Sequence, residues 1–338
     1  MKKAVCIIAA FPETNREGND SGDGVSQEYF TCNEGYWHSS AANQCISATR
    51  ALLQNREEFL VKILTSASSN SSLVRKLKSL KPDIVLSGVA VEKTSEVAKQ
   101  IDGSFSVFLV TDTIYDRGTS VEEEVAIGRA VGDACLKCGI KHVIYSTQMH
   151  VYASIGLRSD PCDSKAHIAD YFTNIGLPRT LLVIPPLYED FSHGVFKPLK
   201  TDRDNLYKIV APTGYIPIDL ISFKDLGSCI CSIFKDSKQW VGKTITLSGD
   251  KMTLKEYAQI LTHHLFPCNI EDAPVTPEEF IARHSWDGVE DMANYFDYLT
   301  RGVQRNNQIT TMSLDKDVMS FYDWSKANKE ILKRLIAE

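Results

Sequence analysis

Ala4-Val5-Cys6-Ile7-Ile8-Ala9-Ala10-Phe11 directly follows Met1-Lys2-Lys3, and this apolar run indicates the class of fold. A short run that is apolar throughout is typical of the first buried strand of a parallel sheet in an α/β domain. A dinucleotide-binding domain then turns sharply through G-x-G-x-x-G into a helix. This chain instead continues with a long polar stretch, residues 12–38, before a helical pattern begins at about Ser39. The sequence therefore predicts an α/β domain whose phosphate-binding turn is replaced by an insertion.

The composition excludes several classes of partner. The 338 residues carry a net charge of −6, which gives no basic field for nucleic acid or for an acidic membrane surface. No apolar stretch reaches the roughly 18–20 residues that span a bilayer. Nine cysteines, mostly in apolar segments, favour reduced thiols and a cytoplasmic protein. Met1 to Phe11 could also be a signal peptide, but no small-x-small cleavage site follows, so we expect strand 1.

Strand and helix patterns alternate six times through residue 184. The predicted strands cover residues 4–11, 59–65, 84–86, 104–111, 141–146 and 180–184. Alternation of this kind predicts βαβ crossovers and a Rossmann-type doubly wound parallel sheet. We expect this domain to cover residues 1–184, with the acidic insertion 12–38. A smaller α-rich C-terminal lobe should cover residues 185–338, with some segments returning to the Rossmann domain.

Several short stretches after about residue 39 share their order and spacing with one known family. They are FLVTD at residues 108–112, GIKHVIYS at 139–146, IGLP at 175–178, PLYED at 186–190 and VTPEE at 275–279. On these stretches the chain resembles the NmrA-like proteins, atypical members of the short-chain dehydrogenase/reductase group, and among them the redox-sensor type. The resemblance implies NADP(H) as the cofactor, bound for regulation rather than for turnover.

The resemblance also implies which residues contact the cofactor. By family position they are Val110, Thr111 and Asp112 at the end of the fourth strand, Lys165 near the nicotinamide, and Pro186, Leu187, Tyr188 and Glu189. The other family positions differ in this chain. The segment at residues 9–12 replaces the glycine turn, Ser66 the basic residue for the 2′-phosphate, Gly88 the acidic residue near adenine, and Ala126 a lysine.

Charge indicates how these differences affect binding. Residues 12–38 contain six acidic residues and one arginine, so they carry −5 of the net charge of −6. An acidic segment beside a helix N-terminus opposes phosphate binding there, and the loss of one arginine–phosphate contact costs about 1.5–3 kcal/mol. We therefore expect dinucleotide binding to be weak or absent. The insertion also holds Tyr29, Phe30, Tyr36 and Trp37, which either cover the vacated groove or form a patch for a partner.

The positions that carry catalysis in the wider group also differ in this chain. Reduction in the wider group needs a tyrosine acid four residues before the lysine, and this chain has Pro161 there. Lys165 and Ser146 are the remaining candidates for a catalytic role. We predict a non-catalytic pseudo-oxidoreductase that regulates through protein partners. The alternative is an NADPH-dependent oxidoreductase of the atypical short-chain type. A homodimer and an additional nuclear location stay open.

No metal site is predicted from the sequence. A calcium loop beginning at Asn19 lacks the glutamate at its twelfth position, which is Phe30. His263 and His264 are adjacent on a predicted helix, so their side chains point to different faces.

Overall fold

The protein is described here by a computed structural model that covers residues 2–10, 36–113, 120–302 and 305–337. Most of the insertion 12–38 lies outside these ranges, as do both interpretations of its aromatic residues. Among the described residues, no helix combines the length and the apolar composition that a bilayer crossing requires.

Twelve strands are present in the described part of the chain. In chain order they are β1 Lys3–Ala10, β2 Phe59–Thr65, β3 Ile84–Leu86, β4 Ser106–Thr111, β5 His142–Thr147, β6 Arg179–Val183, β7 Leu199–Lys200, β8 Leu206–Ala211, β9 Ile218–Leu220, β10 Thr244–Thr246, β11 Asp250–Met252 and β12 Asn269–Pro274.

Fifteen helices accompany them in the same part of the chain. They are α1 Tyr36–Gln54, α2 Ser72–Ser79, α3 Thr94–Ile101, α4 Ser120–Lys137, α5 Val151–Ile155, α6 Asp160–Asn174, α7 Asp190–His193, α8 Phe223–Lys235, α9 Ser237–Trp240, α10 Leu254–Leu265, α11 Pro277–Arg283, α12 Val289–Arg301, α13 Gln308–Leu314, α14 Phe321–Ala327 and α15 Lys329–Ala337.

The main sheet confirms the predicted Rossmann-type fold. Its seven strands lie in the order β10-β6-β5-β4-β1-β2-β3. Strand β1 pairs in parallel with both β2 and β4, so the direction of strand order changes between β1 and β4. Ligands of doubly wound sheets bind at the carboxyl ends of the strands beside such a switch point. The expected crevice is therefore beside Ala10 and Thr111.

The chain forms two compact units. The first contains residues 1–150, 160–183 and 226–245, and the second contains residues 151–159, 184–225 and 246–338. The second unit includes two small sheets, of the orders β11-β9 and β12-β8-β7, and most of the helices after β6. The C-terminal region is thus rich in helices, as predicted.

Helices α4 and α6 pack closely in the first unit, and this contact positions the site. A Cβ built on Gly128 would lie 2.5 Å from the side chain of Ile168, and one built on Gly132 would lie 2.6 Å from Phe172. The two glycines therefore allow α6 to approach α4 more closely than any other residue would. Ile168 and Phe172 are completely buried in the core that these helices share with the sheet.

Candidate functional site

A polar cluster lies at the carboxyl ends of β4 and β5, beside the switch point of the sheet. Its side chains come from four elements of the first unit. They are Thr111 and Thr113 at the end of β4, Tyr145 on β5, Glu124 on α4, and Ser164 and Lys165 on α6. Parallel strands and the helices that follow them meet at this edge, so residues distant in sequence come together here.

The carboxylate of Glu124 is the centre of the cluster. Its side chain is completely buried, and each of its two oxygens accepts two hydrogen bonds. Oε1 accepts from Thr111 Oγ1 at 2.6 Å and from Lys165 Nζ at 2.8 Å. Oε2 accepts from Ser164 Oγ at 2.6 Å and from Thr113 Oγ1. Four donors, one of them cationic, offset the cost of removing this charge from water.

The ammonium group of Lys165 is engaged by this carboxylate. Its side chain is 12% exposed and forms an ion pair of 2.8 Å with Glu124. Nζ also lies 3.4 Å from Thr113 Oγ1, and the Lys165 carbonyl accepts a hydrogen bond of 3.1 Å from Thr147 Oγ1. The one family position at which a lysine is retained therefore has its charge matched within the protein.

Tyr145 supplies the phenol of the cluster. Its hydroxyl lies 3.0 Å from Thr111 Oγ1, and because that threonine donates its proton to Glu124, the tyrosine donates to the threonine. The side chain is completely buried. Burial, and then the negative charge of Glu124, raise the pKa of Tyr145 well above 10. A tyrosine acid of a reductase needs the opposite environment, one that lowers its pKa.

Three other candidate residues lie on these strands or directly after them. Val110 is buried in β4, where it pairs with Ala9 of β1. Asp112 is 2% exposed and accepts a 3.0 Å hydrogen bond from the backbone N–H of Thr113. Ser146 is buried, and strand alternation places it on the sheet face opposite to Tyr145. Among the described residues, Ser146 makes no hydrogen bond to the cluster around Lys165.

Leu187 and Tyr188 belong to the second unit, where both are buried. The Tyr188 hydroxyl donates to Asp250 Oδ2 at 3.2 Å. Its ring centroid lies 5.2 Å from that of Phe321 and 5.8 Å from that of Trp324. The phenol therefore has partners within its own unit. Pro186, directly before this segment, accepts a backbone hydrogen bond from Ile221.

Glu189 is also bound within the second unit. Its Oε1 accepts hydrogen bonds from Ser222 Oγ at 2.9 Å and from Trp324 Nε1 at 3.0 Å, and its Oε2 accepts from the Phe223 N–H at 3.0 Å. Burial raises the pKa of Glu189 to about 7, although the hydrogen bonds act against this rise. The carboxyl group thus links the start of α8, at Phe223, with Trp324 on α14.

The ends of β2 and β3 form the other part of the switch-point edge. The loops after them are joined by backbone hydrogen bonds, from Gly88 N to Ala67 O at 2.9 Å and from Val89 N to Thr65 O at 3.1 Å. Residues 65–68 and 87–90 contain neither lysine nor arginine. At these described positions no cation is therefore present for the 2′-phosphate of NADP(H), and in this respect the edge does not fit that cofactor.

Sequence analysis did not identify four residues of the cluster, and Glu124 is the central one; the others are Thr113, Tyr145 and Ser164. In the sequence Glu124 is the third of three consecutive glutamates, which suit the positive end of a helix dipole. Its position carries a further signal, because Glu124 is three residues before Ile127 and seven before Val131, both buried. An acidic residue in register with an apolar stripe of a helix predicts a buried charge that needs partners.

Comparison with known sequences finds one matching family model and relatives of the same family. The family model of the NmrA-like family matches residues 40–278. An NmrA-like family domain-containing protein of Dictyostelium discoideum is 26% identical over 224 residues, which are 64% of this chain and 72% of that protein. The nitrogen metabolite repression protein nmr of Neurospora crassa is 30% identical over 149 residues, 41% of this chain and 30% of its own length.

Solved structures show the same fold. NmrA, described as a negative transcriptional regulator and crystallised with NAD, superimposes with a TM-score of 0.74 at 16% identity over 100% of this chain and 98% of NmrA. A crystal form of NmrA with NADP also matches. The triphenylmethane reductase of Citrobacter sp. gives a TM-score of 0.66 at 14% identity, over 99% of this chain and 100% of the reductase. Because the family model covers most of its length, the chain belongs to the NmrA-like family.

Proposed function

We propose that this protein is a non-catalytic regulator of the NmrA-like family, which acts through protein partners and binds a dinucleotide weakly or not at all. The observation that carries the proposal is the ion pair between Lys165 and the completely buried Glu124. Lys165 is the one cationic residue that this chain retains at the family's cofactor positions, and its charge is paired with a carboxylate of the protein itself.

The energy of this contact bears on cofactor binding. A hydrogen bond to a charged group contributes about 1.5–3 kcal/mol, and every 1.4 kcal/mol corresponds to about tenfold in affinity. An anionic or polar ligand group that needs the Lys165 ammonium has to compete with Glu124 for it. The edge at residues 65–68 and 87–90 adds no cation in compensation. Both observations favour a weakened dinucleotide site.

The same cluster argues against reduction of a carbonyl substrate. Pro161 stands four residues before Lys165, where the wider group has its tyrosine acid. Tyr145, the phenol that is near, is completely buried with a pKa raised well above 10. A proton donor must reach the substrate and release its proton near the operating pH. Tyr145 does neither in this conformation.

The regulatory part of the proposal rests on the relatives. The Neurospora crassa relative is a nitrogen metabolite repression protein, and NmrA is described as a negative transcriptional regulator. The net charge of −6 favours proteins over nucleic acid as partners. We place the protein in the cytoplasm, as expected for a chain with many reduced thiols.

An oxidoreductase function is the second candidate. It is favoured by the similar fold of triphenylmethane reductase and by Lys165 itself, whose side chain is 12% exposed. In this case Lys165 would have to exchange Glu124 for the cofactor or the substrate.

The test is an NADPH oxidation assay with quinones, aldehydes and triphenylmethane dyes as acceptors. We expect no acceptor-dependent oxidation by the wild-type protein, and none by Lys165→Met or by the control Lys137→Met, which changes an exposed lysine on α4. Oxidation that Lys165→Met abolishes and Lys137→Met preserves would establish the oxidoreductase function instead.

A further inference from the structure

We propose that His150, His167 and Asp170 form a binding site for a divalent transition-metal ion of the zinc class. One ligand atom from each of the three side chains lies within 4.8 Å of the other two. All three residues belong to the first unit. None of them is part of the Glu124 cluster, and the sequence alone gave no indication of a metal site.

The three residues come together from two elements. His150 lies three residues after the end of β5, and His167 and Asp170 are three residues apart on α6, so they share one face of that helix. His150 Nε2 lies 2.8 Å from Asp170 Oδ2. The ring centroids of His150 and His167 are 5.0 Å apart, with their planes at 72°. His150 thus lies beside both Asp170 and His167 before any ion is bound.

The donor set matches a particular class of ion. Two imidazoles and one carboxylate are the protein ligands of zinc sites that keep a position open for water. Mg²⁺ and Ca²⁺ prefer oxygen ligands throughout, whereas imidazole nitrogen suits Zn²⁺ and its neighbours Co²⁺, Ni²⁺ and Cu²⁺.

The geometry allows an ion to enter with small side-chain movements. Zn–N distances of about 2.0–2.1 Å place tetrahedral ligand atoms roughly 3.4 Å apart, which is less than the present 4.8 Å limit. The side chains of His150 and Asp170 are 29% and 64% exposed, so they can rotate and water can complete the coordination. Binding replaces the His150–Asp170 hydrogen bond, and any proton on His150 Nε2 leaves with it.

Occupation of this site would fasten two segments beside the Glu124 cluster. Thr147, at the end of β5, already contacts the backbone of Lys165 on α6. A metal bound by His150, His167 and Asp170 adds a second link between the same segments, two to five residues further along α6. The ion would therefore add to the contacts that hold α6 against the end of β5 beside Lys165.

The experiment is a calorimetric titration of the chelator-treated full-length protein with Zn²⁺, and with Mg²⁺ as the hard-ion comparison. We expect one Zn²⁺ per chain and no Mg²⁺ binding. Because loss of an outer-shell partner already weakens metal sites by about 10–100-fold, His167→Ala and Asp170→Asn should each reduce the Zn²⁺ affinity by at least about tenfold. His263→Ala, which changes an exposed histidine of the second unit, should bind Zn²⁺ as the wild type does.

A second readout identifies the ligands directly. Co²⁺ in a tetrahedral site with nitrogen and oxygen ligands gives visible absorption bands, which His167→Ala should remove. His167 is exposed, so this variant should fold, and circular dichroism checks that it does. Absence of Zn²⁺ binding by the wild type, or unchanged Zn²⁺ binding by His167→Ala, would overturn the proposal.

Discussion

The ion pair between Glu124 and Lys165 can be tested by a double-mutant cycle on stability. Lys165→Met removes the cation and leaves the completely buried Glu124 carboxylate with its hydroxyl donors alone. Removal of one partner of a buried pair costs about 3–5 kcal/mol. Because the Lys165 side chain is 12% exposed, some water reaches the pair, and we expect about 3 kcal/mol of lost unfolding free energy.

The complementary change is Glu124→Gln, which keeps the shape of the side chain. The amide still accepts hydrogen bonds at one end, and the hydroxyls of Thr113 and Ser164 can rotate to accept from its NH₂ group. Lys165 loses a charge-assisted hydrogen bond of about 1.5–3 kcal/mol, so we expect a cost of about 2 kcal/mol. The double variant buries no unpaired charge, and its cost should fall short of the sum by about 2 kcal/mol.

Urea unfolding followed by circular dichroism measures these free energies. Hydrogen exchange of peptides from α4 and α6 shows whether the loss is located in the first unit. The control Lys137→Met should stay within about 0.5 kcal/mol of the wild type, as expected for an exposed position. Strictly additive single effects, with a coupling energy below about 0.5 kcal/mol, would refute the ion pair as we describe it.

Three further predictions follow from other parts of the structure. Gly227→Ala should lower the free energy of unfolding in urea by about 3 kcal/mol or more, because its Cβ would lie 2.2 Å from the Ser47 carbonyl oxygen. The control Gly302→Ala, whose Cβ would have its nearest atom at 3.4 Å, should be nearly neutral. Equal effects of the two substitutions would contradict this packing. Burial lowers the pKa of His142 from 6.5 to about 4, so the stability that the neutral imidazole contributes is present above pH 6.5 and is lost, by about 3 kcal/mol, as pH falls through 4. Urea unfolding of His142→Gln should lack this pH dependence. A pH dependence of His142→Gln like that of the wild type would contradict the prediction. Burial raises the pKa of Glu189 from 4.5 to about 7, so the stability that it contributes is present below pH 4.5 and is lost as pH rises through 7. The protection of α14 amides against hydrogen exchange, relative to their intrinsic exchange rates at each pH, should fall over this range in the wild type. An equal fall in Glu189→Gln would contradict this prediction.

The sheet could be predicted because its strands carry a simple local signal. Every residue of β4 and of β5 is buried, and strands buried on both faces read as continuous apolar runs. The ends of α4 and α6, the helices before and after β5, also carry a local signal. Gly139 follows α4 and Gly176 follows α6. Their φ angles of 64° and 68° favour glycine after a helix.

The partners of Lys165 could not be predicted in this way. The resemblance identified the lysine, but Glu124 is 41 residues away and Thr113 is 52 residues away in sequence. Their contact depends on the order of strands at the switch point and on the close packing of α4 on α6. The His150 site has the same origin, because its histidines are brought together only when β5 and α6 are in place.

Calorimetric titration of the wild-type protein with NADPH and NADP⁺ measures directly whether the dinucleotide site is weakened. The Lys165 charge is engaged by Glu124, and residues 65–68 and 87–90 of the described edge supply no other cation for phosphate. Loss of about 4 kcal/mol moves a micromolar dissociation constant into the millimolar range, so we predict no saturable binding at micromolar concentrations. A micromolar dissociation constant for either nucleotide would contradict this prediction, most directly if Lys165→Met weakens the binding and Lys137→Met leaves it unchanged.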